Sequence, residues 1–447
     1  MERHPTKRSP CLHSDTLRLL EPGGDLYAIM RRSRDSYLPL DEFLSMVLPA
    51  GMSPLDSWEL LAAMNHATGI DLTIPDFEGR EYWYLRTHEL ADLVTELQCE
   101  CSEESGLSLQ LSDSPNRPGL VRSRIEETIA AAQLDGLGIT WKQGSELLRL
   151  GRTPRDSTER LVANTLSAID ELDALVDEPF SADLFSHLRE LLIKGVDSQE
   201  LPDVEPRMGL LMFEYTNHQV HERSEEYLEH ISAYANHETG HPSDHPVLRA
   251  LLLIDVIRLY RPLRDLNGQV GRLAFRLYCL KHNLPVLGIL PISHMKLQWE
   301  GLEGSPRIRW DRPTYHELRR QSGLDFTPYM TLVAQMASAA LHDLKEALRR
   351  ISERDKMLRD MLQADPLINH RQRSVLGRAL RNPDAEFRIA YHKTTHNVVY
   401  ATARADLLGL VDKGYLQVEK RNRAMVFTPV HDLQAKLTID HPDVARV

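Results

Sequence analysis

The stretch Arg261-Pro262-Leu263-Arg264-Asp265-Leu266-Asn267-Gly268-Gln269-Val270-Gly271-Arg272 is the most informative part of this sequence. It reads as a loop that enters a helix and carries the groups of an anion site. Asn267 and Gly268 tolerate positive φ, so they turn the chain tightly and direct backbone N–H groups outward. The helix that follows presents the positive end of its dipole to the same place. Asp265 is a candidate Mg²⁺ ligand, and Arg272, one turn into the helix, is a candidate phosphate ligand.

The same stretch resembles the signature of the Fic family, H-P-F-x-[DE]-G-N-G-R-x-x-R. The preceding segment, His245-Pro246-Val247-Leu248-Arg249-Ala250, resembles the helix that leads into that signature. Fic proteins move a nucleotide phosphoryl group, usually AMP from ATP, onto a protein hydroxyl. The resemblance therefore implies a helical core that binds ATP and Mg²⁺ and modifies a protein target. It makes Asp265 the metal ligand and places Asn267, Gly268 and Arg272 around the phosphates.

Three positions depart from the signature and put the reaction in question. Arg261 stands where the family has its catalytic His, and a guanidinium, which stays protonated in proteins, cannot take a proton from a hydroxyl. Leu266 replaces a Gly and costs about 1 kcal/mol or more if its φ is positive. Gln269 removes a positive charge from the phosphate site. We expect a degenerate active site in a pseudoenzyme or regulator, with an active protein adenylyltransferase as the alternative.

Two further segments resemble parts of Fic proteins. Ala131-Ala132-Gln133-Leu134-Asp135-Gly136 corresponds to an inhibitory helix with the pattern S-S-x-I-E-G, whose Glu pairs with the last signature Arg. The resemblance predicts an Asp135–Arg272 pair, with a solvent-exposed Asp135 as the alternative. Residues 209–221 read as an apolar strand, a turn and a short return, which predicts a β-hairpin at the place of the family's target-binding flap, or a plain edge hairpin. A substitute base would come from the two histidines of that hairpin, His218 and His221.

The helical pattern divides the chain into three predicted parts. Residues 1–111 form an N-terminal helical region, and residues 120–350 form the Fic-like core. The segment between them, 112–119, carries two prolines and small polar residues and is the expected linker. Residues 366–447 read as three helices and two strands, which is typical of a winged helix-turn-helix. The predicted fold class is mainly α, with a small hairpin in the core.

The C-terminal part is basic although the chain as a whole is acidic. Residues 366–430 hold eleven Lys and Arg against five Asp and Glu, whereas the whole chain has a net charge of −12. The predicted recognition helix, 398–412, offers Thr402 and Arg404 to a major groove. The hairpin after it offers three cations to phosphates: Lys420, Arg421 and Arg423. We expect DNA binding, as in a transcriptional regulator, with protein contacts or homodimerisation as the alternative.

Composition limits the class of protein further. Of the 447 residues 42% are hydrophobic and 26% charged, and no run of about 18 apolar residues predicts a membrane span. The first residues lack the apolar core of a signal peptide, and the four cysteines form no C-x-x-C pair, so we expect a cytoplasmic protein. The sequence H-E-x-x-H occurs at 237–241, but Gly240 and Pro242 interrupt a helix there, which argues against a zinc protease.

Overall fold

The computed structural model gives a mainly helical fold, which confirms the predicted class. It describes residues 19, 21–48, 52–75, 79–112, 117–197, 223–239, 244–301, 324–364, 367–381, 385–421 and 424–440. The described chain forms two compact units, the first ending at Leu344 and the second beginning at Lys345. Within these ranges no helix is both long enough and apolar enough to cross a membrane.

The first unit opens with three helices and a small sheet. The helices are α1 (Asp25–Asp35), α2 (Leu40–Ser45) and α3 (Pro54–Ala67), and the strands are β1 (Ile70–Pro75), β2 (Glu81–Tyr84) and β3 (Leu324–Asp325). Residues at its own N-terminus set the start of helix α3. The Ser53 side chain accepts a hydrogen bond from the Asp56 N–H at 3.1 Å, and Pro54 fills the first helical position. Strand β2 pairs antiparallel with β1 and parallel with β3.

Helices make up the rest of the first unit. Their bounds are α4 (His88–Cys101), α5 (Gly106–Ser112), α6 (Arg117–Leu134), α7 (Trp141–Leu150), α8 (Ser157–Glu171), α9 (Ala182–Ile193), α10 (Ser224–Ala235), α11 (Pro246–Tyr260), α12 (Asn267–Lys281), α13 (Ile292–Gly301) and α14 (Thr327–Ala364). Two short 3₁₀ turns, Leu172–Leu175 and Leu287–Ile289, connect them. Helix α14 begins in the first unit and ends in the second.

Helices α11 and α12 lie in the core of the first unit. Residues Asn267 to Cys279 of α12 are all buried, and α11 is apolar on nearly every side. A helix without a polar face is held by packing on all sides rather than along one stripe. The loop between these two helices, 261–266, is therefore fixed at both ends by buried structure.

The observed start of helix α6 differs from the expected linker. Helix α6 already begins at Arg117, so residues 117–119 are helical, since Pro is tolerated in a first helical turn. The described residues up to 112 and those from 117 to 344 belong to one compact unit. The predicted hairpin at 209–221, with its two histidines, lies outside the described residues.

The second unit contains helices and a three-stranded sheet. After the end of α14 come α15 (His370–Arg381), β4 (Phe387–Arg388), α16 (Ile389–His396), α17 (Tyr400–Asp412), β5 (Leu416–Arg421), β6 (Ala424–Pro429) and α18 (Leu433–Asp440). The strands pair antiparallel in the order β4-β6-β5, with Phe387 and Val418 both opposite Phe427. A single apolar cluster that includes Leu376, Leu407 and Phe427 joins the helices to the sheet.

Candidate functional site

The loop between α11 and α12 contains two residues in the left-handed conformation. Arg261 has a φ of 46° and Leu266 a φ of 54°. The Arg261 N–H donates to the Ile257 carbonyl at 3.0 Å and so ends α11. A side chain in this region of φ costs about 1–2 kcal/mol, so the strain foreseen at Leu266 is present. The Leu266 side chain packs against the apolar cluster around Leu161, which offsets part of that cost.

Asn267 closes this loop on itself. Its Nδ2 donates to the Leu263 carbonyl at 2.8 Å, and its Oδ1 accepts from the Leu263 N–H at 2.9 Å. The side chain is buried, so both ends of the amide are satisfied by one backbone unit. In this arrangement Asn267 shapes the loop, and its polar atoms face the chain rather than a ligand.

Asp265 forms a two-point ion pair with Arg189 of helix α9. Its Oδ1 accepts from Nε of Arg189 at 2.6 Å, and its Oδ2 accepts from Nη2 at 2.7 Å. Hydrogen bonding to Asp265 raises the pKa of Arg189, against the opposing effect of its partial burial. Because both oxygens are engaged by one guanidinium, the positive charge of Arg189 compensates the negative charge of Asp265. No sequence pattern indicates Arg189, which lies 76 residues before Asp265.

Asp135 and Arg272 form a buried ion pair at the start of α12. Nη1 of Arg272 lies 2.6 Å from Oδ2 of Asp135 and Nη2 lies 3.2 Å from Oδ1, with side chains only 8% and 10% exposed. The Nε donates to the Ser293 hydroxyl at 2.7 Å. Burial lowers the pKa of Arg272, but the charge and hydrogen bonds of Asp135 outweigh it, so the pKa is raised. All three guanidinium nitrogens are therefore engaged within the protein.

The end of α6 delivers Asp135 to this place. Gly136 follows with a φ of 78°, and the Leu137 N–H donates to the Ala132 carbonyl at 2.9 Å, which is a common way to end a helix. A Cβ at Gly268 would lie only 2.2 Å from Oδ1 of Asp135, so the carboxylate fills the space against the first turn of α12. Helix N–H groups and the positive end of the dipole attract an anion there. Asp135 thus lies beside the first turn of α12.

A second carboxylate, Glu127 of α6, lies beside the same arginine. It accepts a hydrogen bond from the Ser293 N–H at 2.8 Å. Burial raises the pKa of Glu127 to about 7, although the Arg272 charge and the Ser293 hydrogen bonds act in the opposite direction. Arg272, Asp135, Glu127 and Ser293 therefore form one buried network. The spacing of Glu127 and Asp135, about two helical turns, is the sequence signal that indicates a shared face.

Gln269 stands where the signature has its first Arg, and it is 2% exposed. Thr165 Oγ1 lies 3.4 Å from its Oε1, while no described residue accepts from its Nε2. A buried neutral amide supplies no counter-charge to a phosphate. The substitution therefore removes a positive charge from the site and leaves a buried donor, which is costly in the folded state.

These residues, as arranged, do not fit a triphosphate with Mg²⁺. Asp135 takes the guanidinium of Arg272 and lies against Gly268, and Arg189 neutralises Asp265. Within the described ranges, no group of three or more His, Cys, Asp or Glu side chains is placed to hold a metal ion.

The H-E-x-x-H sequence does not form a helical zinc site in its described part. Helix α10 ends at Ala235, and His237 follows it with a φ of 60°. The Nε2 of His237 lies 2.6 Å from the Tyr278 hydroxyl. A zinc protease needs both histidines one turn apart on a helix, and the second, His241, lies outside the described residues.

The predicted DNA-contact residues of the second unit differ in their surroundings. Arg404 on α17 and Lys420 on β5 are exposed, and neither is within ion-pair distance of a described acid. Thr402 is half-buried. Arg421 is exposed but ion-paired, with Glu386 at 2.7 Å and Glu419 at 2.8 Å. The last of these residues, Arg423, lies outside the described part of the chain.

The first unit is a helical domain built around two buried helices and the loop between them. The sequence matches no protein-family model and no curated protein. Solved structures with a similar fold include a Fic family protein from Desulfovibrio desulfuricans, with 17% identity, a TM-score of 0.46, and 78% of this chain and 98% of that chain covered.

Two further structures share this likeness. Fic-1 from C. elegans has 15% identity and a TM-score of 0.37, with 58% of this chain and 70% of that chain covered. A Fic domain containing signaling protein from Bacteroides thetaiotaomicron has 16% identity and a TM-score of 0.35, with 58% and 98% covered.

Proposed function

We propose that this chain is a Fic-family protein with a degenerate active site, which acts as a regulator and not as a nucleotidyltransferase. The observation that carries the proposal is the Asp135–Arg272 pair against Gly268, in which the chain's own carboxylate takes the place of a terminal phosphate. Arg261 at the position of the catalytic base supports it, since a guanidinium accepts no proton from a hydroxyl.

Part of the nucleotide pocket is retained in this proposal. Asp265, Asn267, Gly268 and Arg272 keep the residue types of the signature. ATP then competes with Asp135 for the guanidinium, and Mg²⁺ competes with Arg189 for the Asp265 carboxylate. The protein acts by binding a segment of a partner protein. This binding depends on whether Asp135 or ATP occupies the pocket.

Labelled ATP with Mg²⁺ tests whether transfer is lost. Wild type is expected to leave itself and added proteins unlabelled, and so is Asp135→Ala, because opening the pocket supplies no base. Asp135→Ala combined with Arg261→His is the variant expected to gain label. Labelling by wild type that disappears in Asp265→Ala but persists in Arg189→Ala would overturn the proposal. Arg189→Ala is the matched control, because it breaks the same ion pair and keeps the carboxylate.

A second proposal concerns the second unit, which we infer to be a winged helix-turn-helix that binds duplex DNA. It is supported by the succession of α16, a three-residue turn (397–399) and α17, followed by the β5–β6 hairpin. The local excess of basic residues supports it as well. Gel shifts of short duplexes at low salt test this proposal. We expect the affinity to fall steeply as salt is added. Absence of any shift at low salt would contradict it.

A further inference from the structure

Arg276 differs from the other buried cations of the described chain, because it has no carboxylate within ion-pair distance. It lies on α12, one turn after Arg272, and is 8% exposed. The other buried lysines and arginines each lie within 3.2 Å of a carboxylate: Arg249, Arg272 and Lys296. Buried charges in proteins are normally paired. The exception at Arg276 therefore indicates a place where an anion from outside the chain would be stabilised.

The guanidinium of Arg276 uses only part of its hydrogen-bonding capacity. Its Nη1 donates to the Gly288 carbonyl at 3.2 Å. Its Nε is buried and meets no acceptor within the described ranges. Nε and Nη2 form the edge through which a guanidinium binds an oxyanion with two parallel hydrogen bonds. This edge of Arg276 is therefore available to a ligand.

A second guanidinium, that of Arg124 on α6, is directed to the same 3₁₀ turn. The preceding residue, Ser123, donates from its hydroxyl to the Ile289 carbonyl at 3.1 Å, next to the carbonyl that Arg276 contacts. Nη1 of Arg124 donates to Asp170 at 3.0 Å. Its Nε is buried and, like that of Arg276, has no acceptor in the described part of the chain. Two buried Nε–H donors thus lie around one turn.

The charges near Arg276 support this interpretation. Burial, followed by the charge of Arg124, lowers the pKa of Arg276 to about 10, while Asp173 and Asp170 act in the opposite direction. Both of these carboxylates are exposed, and Asp170 is already paired with Arg124. Water screens exposed charges, so they compensate a buried guanidinium poorly. A bound anion would supply the missing negative charge.

We propose that Arg276 and Arg124 form a binding site for a phosphate-class oxyanion, beside the 3₁₀ turn Leu287–Ile289. The fork of Arg276 and the Nε of Arg124 offer three donors, which suits a tetrahedral anion better than a carboxylate with two oxygens. The site is distinct from Arg272, whose guanidinium nitrogens are engaged by Asp135 and Ser293. The inference therefore does not depend on the function proposed above.

Thermal melting of the full-length protein, with inorganic phosphate replacing chloride at constant ionic strength, tests this site. A ligand that binds only the folded state raises the melting temperature and saturates. Wild type is expected to show this saturable rise, Arg276→Met to lose it, and Arg124→Gln to weaken it. Arg122→Gln is the matched control, because it removes an exposed arginine of the same helix that is paired with Glu126. It is expected to keep the rise.

The comparison between variants separates the site from general effects of phosphate. Phosphate also stabilises proteins by exclusion from their surface, and that effect is common to all variants. A saturable rise that persists in Arg276→Met overturns the proposal, because the phosphate is then bound elsewhere. Absence of a saturable rise in wild type overturns it as well, because water then suffices for the buried Nε–H groups.

Two further measurements complete the test. Should Arg276→Met fail to fold, Arg276→Lys takes its place, since lysine keeps the charge and lacks the fork. Calorimetric titration is expected to show weaker phosphate binding by Arg276→Lys than by wild type, and equal affinities overturn the proposal. Phosphoserine titrated in parallel distinguishes a phosphate carried by a larger molecule from the inorganic ion. Binding of either ligand that is lost in the Arg276 variant supports the site.

Discussion

Asp135 holds Arg272 at 2.6 Å while the same carboxylate lies against Gly268, where a single added carbon would come within 2.2 Å of it. One side chain therefore neutralises the guanidinium and fills the space against the first turn of α12. In the function proposed above, a phosphate and the Asp135 carboxylate compete for this place.

Replacing Asp135 and replacing Arg272 are expected to lower the free energy of unfolding by different amounts. Removing one member of a buried ion pair costs about 3–5 kcal/mol. Asp135→Ala leaves Arg272 beside Glu127, whereas Arg272→Ala leaves two carboxylates without a counter-charge, so Arg272→Ala should destabilise more. The double variant should lose less than the sum of the single variants. Denaturant unfolding measures all three, and costs that simply add would contradict the pairing.

Gly268→Ala should be destabilising because of Asp135. The added methyl lies within 2.6 Å of three atoms of the carboxyl group, so the carboxylate must leave Arg272 or the helix must shift. We expect a loss of about 2 kcal/mol or more in wild type, as for other overpacked cores, and a smaller loss in the Asp135→Ala background. Gly377→Ala on helix α15 is the control, since nothing lies within 4 Å of its added carbon. Equal costs of Gly268→Ala in both backgrounds would rule out the contact.

Glu127 makes stability depend on pH near neutrality. Its pKa rises from 4.5 to about 7 on folding, so the folded state holds the proton more tightly. The stabilisation is fully present below pH 4.5 and is lost as the pH rises through 7. Wild type should therefore lose up to about 3 kcal/mol from this group across that window, and Glu127→Gln should not. The measurement is the difference in unfolding free energy between wild type and Glu127→Gln at each pH. A difference that stays constant with pH would contradict the raised pKa of Glu127.

The left-handed conformation of Arg261 destabilises the fold, and a glycine at this position would adopt it without that strain. With a φ of 46° at the end of α11, it occupies a position where helices favour glycine. Arg261→Gly is expected to be more stable than Arg261→Ala by about 1 kcal/mol, because alanine keeps the β-carbon that crowds this conformation. Comparison of the two variants in thermal melting removes the contribution of the lost guanidinium. An alanine variant at least as stable as the glycine variant would show that the loop relaxes on substitution.

Local signals in the sequence account for the features that depend on local structure. The cap at Ser53, the short strand β1 and the strain at Leu266 follow from residues a few positions apart. The Asp135–Arg272 pair was predictable because both residues lie in segments with a recognisable pattern. Arg189 and Ser293 were not predictable, since each is brought to the site from a distant helix and belongs to no local pattern. Glu386 was not predictable either, and its carboxylate forms an ion pair with Arg421 of the hairpin.

Calorimetric titration of ATP with Mg²⁺ into wild type, Asp135→Ala and Asp135→Ala combined with Arg272→Ala tests the central claim most directly. We expect wild type to bind more weakly than Asp135→Ala, because ATP must displace the internal carboxylate, and we expect the double variant to lose binding. Binding by wild type as tight as that of Asp135→Ala would contradict this, because Asp135 would then not compete with the phosphate. Absence of binding by a folded Asp135→Ala protein would contradict the claim that part of the nucleotide pocket is retained.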